Sequence, residues 1–290
     1  MNNTELVASI KILGGIPENQ GQFSPASILN LATEEMSERM LPFLIVLSTG
    51  LYNYDFTIPI VVGTQKYFIS PRAAFMSIRD IKLIGSTTNI NLLPIDPTRA
   101  LKSSAGPING YYFQQSKIVL DRIPAQAATL GYSARIKPSS LTETSYSSQV
   151  TAFNAALKTI TLSSVPTAFI AGYNLDTIKS TSGHDLIDID NPIASIATLT
   201  LTMTNALSLD IAVGDWLSPA GTSPVPQMSD ELHSTLSLMC ASRCLLTLGQ
   251  LDQKKALDER INENLKMFKV VMWPRGRGET EIATSPYFTF

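Results

Sequence analysis

The chain has 290 residues, a formal charge of −2 and only 16% charged residues, against about 25% in ordinary soluble domains. A near-neutral balance excludes a general nucleic-acid coat, which needs a basic excess or a dense basic face to neutralise phosphates. The length allows two compact units with a core each, and two cysteines are too few for a disulfide framework.

Residues 1–24 hold a brief apolar set, Leu6, Ile10, Ile12 and Leu13, ended by Gly14, Gly15 and Pro17. This predicts an N-terminal arm docking on a neighbour. No basic stretch followed by an apolar run marks a secretory signal, so the chain is expected to be made in the cytosol. Ser24 caps a helix with Pro25 at its first position, where a missing amide hydrogen costs nothing. The helix continues to about residue 50 through Ile28, Leu31, Met36, Met40 and Leu44, with Pro42 bending it. Its apolar end is far shorter than the roughly 20 residues that cross a bilayer, so no membrane contact is expected.

After residue 50 the period changes from helical to alternating. Tyr54, Phe56, Ile58, Ile60 and Val62 alternate before Gly63 and Thr64, and the pattern resumes at Lys66, which predicts a hairpin. Aromatic and β-branched runs near residues 111–113, 118–120 and 129–136 complete a first β subdomain over residues 51–138. Residues 139–227 are rich in Ser and Thr, with short β runs between turn residues, and predict a small barrel or sandwich.

Residues 228–273 return to helix. Ser229 and Asp230 precede an apolar run and read as an N-cap. Leu232, Leu236, Met239, Cys240, Cys244 and Leu248 then recur at helical steps until Gly249, which tolerates positive φ. A second helix carries a narrow stripe of Leu257, Ile261, Leu265, Phe268 and Met272 among charged residues, and Pro274 stops it. Residues 274–290 remain as an extended C-terminal arm. The expected fold class is α+β: an antiparallel helical bundle built from both chain ends, residues 25–50 and 228–273, with inserted and mostly antiparallel β subdomains.

Several phrases, taken in order, resemble one family. Ser70-Pro71-Arg72-Ala73, Ile78-Arg79-Asp80-Ile81 and Gly110-Tyr111-Tyr112 before Ile118-Val119-Leu120 resemble the β insertion of a tailed-bacteriophage neck protein. Val213-Gly214-Asp215-Trp216, Ser223-Pro224-Val225-Pro226-Gln227, Asp230-Glu231-Leu232-His233, Leu248-Gly249 and Trp273-Pro274-Arg275-Gly276 resemble the same family's passage through its C-terminal helices. The family is the head-to-tail adaptor, or connector, class of helical-bundle proteins beneath the phage portal. The resemblance implies a structural protein of the virion neck: a homo-oligomeric ring, twelve-fold to match the portal, around the DNA exit channel. Its implied partners are further copies of itself, the portal protein, a tail or second neck protein, and genomic DNA passing without sequence-specific contact. The resemblance also implies portal docking by the C-terminal arm. Arg275, Arg277, Tyr287, Phe288 and Phe290 are therefore the candidate partner-binding residues, for the portal or a neighbouring subunit.

The remaining candidates have plainer readings. His184 sits in Ser182-Gly183-His184-Asp185 near Asp188 and Asp190, but calcium loops need a closer ligand rhythm and a closing bidentate acid. A polar turn is expected there. His233 stands one turn into a helix beside Asp230, as a local hydrogen bond or subunit contact. Cys240 and Cys244 share a helix face, but zinc needs more ligands, so core packing is expected. No Gly-x-x-x-x-Gly-Lys loop or Gly-x-Ser-x-Gly elbow occurs, and neither an enzyme nor a cofactor or metal is expected. The alternative functional reading is a tail or baseplate protein whose Ser/Thr-rich β subdomain binds carbohydrate. A metal-dependent hydrolase built on the His184 loop is the third.

Overall fold

A computed structural model of the chain describes residues 1–17, 20–47, 52–85, 89–99 and 105–272. About 35% of the chain is strand, spread over several sheets, with a helix pair at the C-terminal end. The fold is therefore mixed and mostly β, which corrects the expected antiparallel helical bundle with β insertions. Long helices advertise themselves over wide windows, whereas many short strands leave little pattern one by one and together outweigh them.

The helices are α1 (Asn3–Leu13), α2 (Pro25–Glu35), α3 (Leu41–Leu47), α4 (Asp230–Thr247) and α5 (Leu251–Met272). Residues expected as an arm form α1, which opens with a capping box between Asn2 and Glu5 and packs on α4. Buried Asn3 ties it down by donating to the carbonyls of Thr142 at 2.6 Å and Ser223 at 2.8 Å. Between α2 and α3, residues Met36–Met40 form a π turn, and the Leu41 amide reaches back five residues to the Met36 carbonyl. Pro42 explains it: its ring has no N–H and collides with the carbonyl four residues earlier, so the helix widens.

Helix α4 is the centre of the helical layer. Twelve of its eighteen residues are buried, because α1, α2 and α5 all pack against it. Leu6, Ile10, Ile28, Met36, Leu232, Leu236 and Ile261 share that core, and strand residue Leu141 joins it. Gly249 ends α4 at φ +73°, with Gln250 N donating to the Leu245 carbonyl at 2.9 Å, the bond that closes a Schellman turn. Ser229 is the N-cap residue, as expected, but makes no side-chain cap bond. Buried Glu35 accepts from Arg39 and Arg243, each at 3.1 Å, so the charge inside the layer is balanced. Among the described residues no helix is long and apolar enough to cross a membrane.

Residues 52–136 form a small unit built on two four-stranded sheets, with a two-stranded ladder of Ala105–Gly106 and Ile123–Pro124 beside them. One sheet orders its strands as Asn53–Ile60, Ala128–Ile136, Ala73–Ile84 and Asn89–Asn91, and the other as Lys66–Phe68, Lys117–Leu120, Gly110–Gln114 and Leu93–Pro94. Both sheets supply one core, including Ile60, Tyr67, Ile81, Ile118, Leu130 and Tyr132. The predicted hairpin between the first two strands does not form: Asn53–Ile60 pairs with Ala128–Ile136, and Lys66–Phe68 with Lys117–Leu120. The intervening turn carries the chain from one sheet to the other. Pro59, which cannot donate to a ladder, is tolerated because its strand is at the sheet edge.

Residues 148–219 close a six-stranded antiparallel barrel, the barrel alternative of the two expected. Val150, Ile160, Leu175, Leu201 and Leu217 fill its interior. In both β units the chain enters and leaves side by side. Ile136 N donates to the Tyr52 carbonyl at 2.8 Å, and Ser148 pairs with Leu217. The barrel's outgoing strand, Thr222–Ser223, then runs parallel to Ser140–Leu141 and delivers the chain to α4.

One buried ion pair joins the two β units. Asp176 is fully buried on a barrel strand and accepts from Arg72 Nη1 at 2.9 Å, from Gly221 N at 2.8 Å and from Asp190 N at 2.9 Å. Arg72 Nη2 also donates to Ser139 Oγ at 3.0 Å. Every acceptor of this carboxylate therefore faces a donor.

Candidate functional site

The chain has two histidines, far apart in sequence, and the fold brings them together. His184 belongs to the loop after the barrel strand Asn174–Ile178. That loop reverses sharply: Lys179 N donates to the Asp185 carbonyl at 2.9 Å and His184 N to the Thr181 carbonyl at 3.0 Å. Gly183 and His184 both take positive φ, +104° and +49°. Histidine is among the few side chains that visit this region with any frequency, and holding it there needs support from the surroundings. His233 lies in the first turns of α4, three residues after Asp230. Asp230 N donates to Ser182 Oγ at 3.2 Å, which draws the start of α4 against the loop.

The three side chains meet at one oxygen. His184 Nε2 is 3.2 Å from Asp230 Oδ1 and His233 Nδ1 is 3.4 Å from the same atom. The imidazole rings lie 5.5 Å apart between centroids, with planes 19° apart. Both rings are buried, while Asp230 is 51% exposed. Met1 N stands 3.7 Å from the same oxygen.

Each ring's far nitrogen is committed to backbone. His184 Nδ1 is 3.0 Å from the Lys179 carbonyl, and His233 Nε2 is 3.2 Å from the carbonyls of both Pro226 and Met228. A carbonyl only accepts, so these nitrogens both carry hydrogens, and in the neutral form of either ring the nitrogen facing Asp230 presents a lone pair. His233 Nδ1 is buried and makes no hydrogen bond. Burial, followed by the positive charges of the amino terminus and His184, pushes the His233 pKa down to about 4 against the pull of Asp230, so this ring is neutral at pH 7. Burial pushes the Asp230 carboxyl up, but the hydrogen bond from His184 and the positive charge that the site gathers around it, the amino terminus included, outweigh this and hold it below the usual carboxylate range. With both rings neutral, three acceptor atoms lie within 4.8 Å of one another, an arrangement that suits a cation. A cavity of about 280 Å³ opens beside the loop, lined by Tyr52, Asn53, Ile136, His184, Asp185, Leu186 and Gln227. Gln227 Oε1 accepts from Ser139 N at 2.5 Å and Tyr52 Oη donates to the Gln227 carbonyl at 2.5 Å, fixing its far wall.

The sequence neighbours weighed with His184 point elsewhere. Asp188 accepts from Ser208 N at 3.2 Å, and Asp190 lies 3.9 Å from Arg72. Cys240 and Cys244 are free and buried in the helical core, where burial above all pushes both thiols up, Cys244 to about 11. Neither is near a thiolate at neutral pH. The candidate partner-binding residues Arg275, Arg277, Tyr287, Phe288 and Phe290 lie outside the described residues. Sequence reading missed the pairing of the two histidines. The available signal was their scarcity together with the Asp230-x-x-His233 spacing on a helix start, which puts both side chains on one face. No protein-family model matches the chain, and a search of curated proteins gives no significant match.

Proposed function

We propose that the chain is a non-enzymatic structural protein of the phage neck, a ring-shaped head-to-tail adaptor between portal and tail that encloses the DNA channel. The ordered phrases described above motivate this reading. The observation that carries it is that large apolar side chains stand exposed on two separate elements of a chain with few charges. On α5, Met267 and Val270 are 66% and 76% exposed, and on the second sheet Phe68 and Leu93 are 71% and 68% exposed. A cyclic ring is built from heterologous contacts, in which two different patches of one subunit meet their complements on its neighbours. Exposed apolar side chains on two unlike elements, a helix and a sheet, suit such contacts. Tight joints between the modules, such as Arg72 with Asp176, suit a part that transmits load without changing shape.

Electron microscopy of virion necks, with sedimentation of the purified chain alone and with portal, tests this. The expected result is a closed ring of this chain seated on the portal. A chain located only in the capsid shell, or one that ignores portal while its barrel retains glycans, would overturn the proposal and favour the tail or baseplate reading.

A further inference from the structure

We propose that His184 Nε2, His233 Nδ1 and a carboxylate oxygen of Asp230 form a binding site for one divalent transition-metal ion of the zinc class, which fastens the barrel to the first turn of α4. The inference is independent of any ring, since all three ligands come from one chain.

Donor chemistry comes first. Two imidazole nitrogens and a carboxylate are the set that borderline cations such as Zn²⁺, Co²⁺ and Ni²⁺ prefer, whereas Mg²⁺ and Ca²⁺ require mostly oxygen. Distances agree. Tetrahedral bonds of about 2.0–2.2 Å place ligand atoms roughly 3.3–3.5 Å apart, and two of the three separations here are 3.2 and 3.4 Å. All three atoms lie within 4.8 Å of one another, so a small turn of the two rings brings the remaining pair into range. Such a turn is needed in any case, because nearly parallel imidazoles aim their lone pairs past a common point.

The outer shell is already built. Metal-bound histidines almost always donate their second ring hydrogen to a carbonyl or carboxylate, which fixes the tautomer and raises ligand basicity. Here the carbonyls of Lys179, Pro226 and Met228 supply that support. The other cation at hand does not complete the site: Met1 N can neutralise Asp230, but it leaves His233 Nδ1 buried without a partner. A buried lone pair aimed at a carboxylate is a cost the fold carries unless a cation sits between them. Half-exposed Asp230 leaves the fourth position to water. Because the loop and α4 belong to different modules, the ion is a cross-link whose binding energy adds to the stability of their junction.

The whole purified chain, stripped with EDTA and dialysed against zinc, should retain one zinc per chain by elemental analysis and melt at a higher temperature than the stripped form. Magnesium and calcium should not shift the melt. His184→Asn, which keeps a residue at ease with positive φ, and His233→Gln should each lower zinc affinity at least about tenfold and abolish the zinc-dependent rise in melting temperature. Should either variant fail to fold, cobalt(II) loading of the unaltered chain reads the same site: intense visible absorption of a four-coordinate ion is expected. A folded chain that takes up no zinc overturns the proposal, as does uptake undiminished in both variants, or cobalt with only the weak spectrum of the hydrated ion.

Discussion

Two junctions between modules of this chain each carry an aspartate, and they handle its charge in opposite ways. Where the two-sheet unit meets the barrel, the fully buried carboxylate of Asp176 faces a guanidinium and two backbone amides. Where the barrel meets α4, Asp230 faces two imidazole nitrogens whose hydrogens are committed elsewhere. The first junction is complete in itself. The second leaves His233 Nδ1 buried without a hydrogen-bond partner. A fold can therefore use the same kind of side chain, a single aspartate at a module boundary, either as a finished joint or as a receptor for an ion. What decides between them is the direction in which the neighbouring donors point.

Removing the donor from the finished joint should produce the largest effect. Arg72→Ala leaves Asp176 with two backbone amides but without its countercharge, and stranding one partner of a buried pair costs about 3–5 kcal/mol. Two amides remain to Asp176, so urea unfolding should show a loss near the lower end of that range. A loss below about 1 kcal/mol would mean that the backbone alone satisfies Asp176 and that the two junctions differ less than their geometry says.

Neither junction was visible as a junction in the sequence, for a physical reason. Local periodicity reports on neighbours three or four residues away, so α4, the turn at Gly249 and the core-facing stripe of Leu257, Ile261, Leu265 and Phe268 on α5 were legible. Pairing across modules leaves no periodic trace. Arg72 and Asp176 look like ordinary polar loop and strand residues until the barrel closes, and His184 meets His233 only because the loop reverses and α4 begins against it. The same limit produced the missing hairpin: alternation identified the strand Asn53–Ile60 correctly but could not say that its partner is Ala128–Ile136. It also led the helices to be taken as the body of the fold, because long periodic runs are easier to recognise than many short strands.

A third carboxylate, Asp188, falls between these two cases and sharpens the comparison. Among the described residues it accepts one backbone hydrogen bond, from Ser208 N, and has no ion-pair partner. Burial above all raises its pKa; the Ser208 bond opposes this in part, and the repulsion of Asp210 adds a smaller push upward. The native carboxyl then holds its proton more tightly than the unfolded one does. Native stability accordingly falls as pH rises from the unfolded value, about 4, through the raised native one, and the deficit is complete above it. Asp188→Asn keeps an acceptor for Ser208 and removes the charge. Its stability should lie between that of the parent and about 1 kcal/mol above it at pH 7, with a smaller advantage at pH 4. An advantage that grew as pH fell would reverse the sign and show that the charged form of Asp188 is the favoured one.

The smallest effect on stability is expected where incompleteness is apolar. Met267 and Val270 stand three residues apart on α5, outside its core-facing stripe, at 66% and 76% exposure, so they share one solvent face. Replacing both with glutamate removes nothing from the helical core and should change unfolding free energy by no more than about 0.5 kcal/mol per site. On the proposed adaptor reading the same change places charge in a subunit contact, where an unpaired buried carboxylate is strongly disfavoured. Sedimentation should then show the variant as smaller species than the parent at equal concentration, with an unchanged melting curve. If the melting temperature drops with the assembly state, the face belongs to the fold itself. If neither moves, α5 meets no partner there, and the ring must be closed by other surfaces, such as the sheet that carries Phe68 and Leu93.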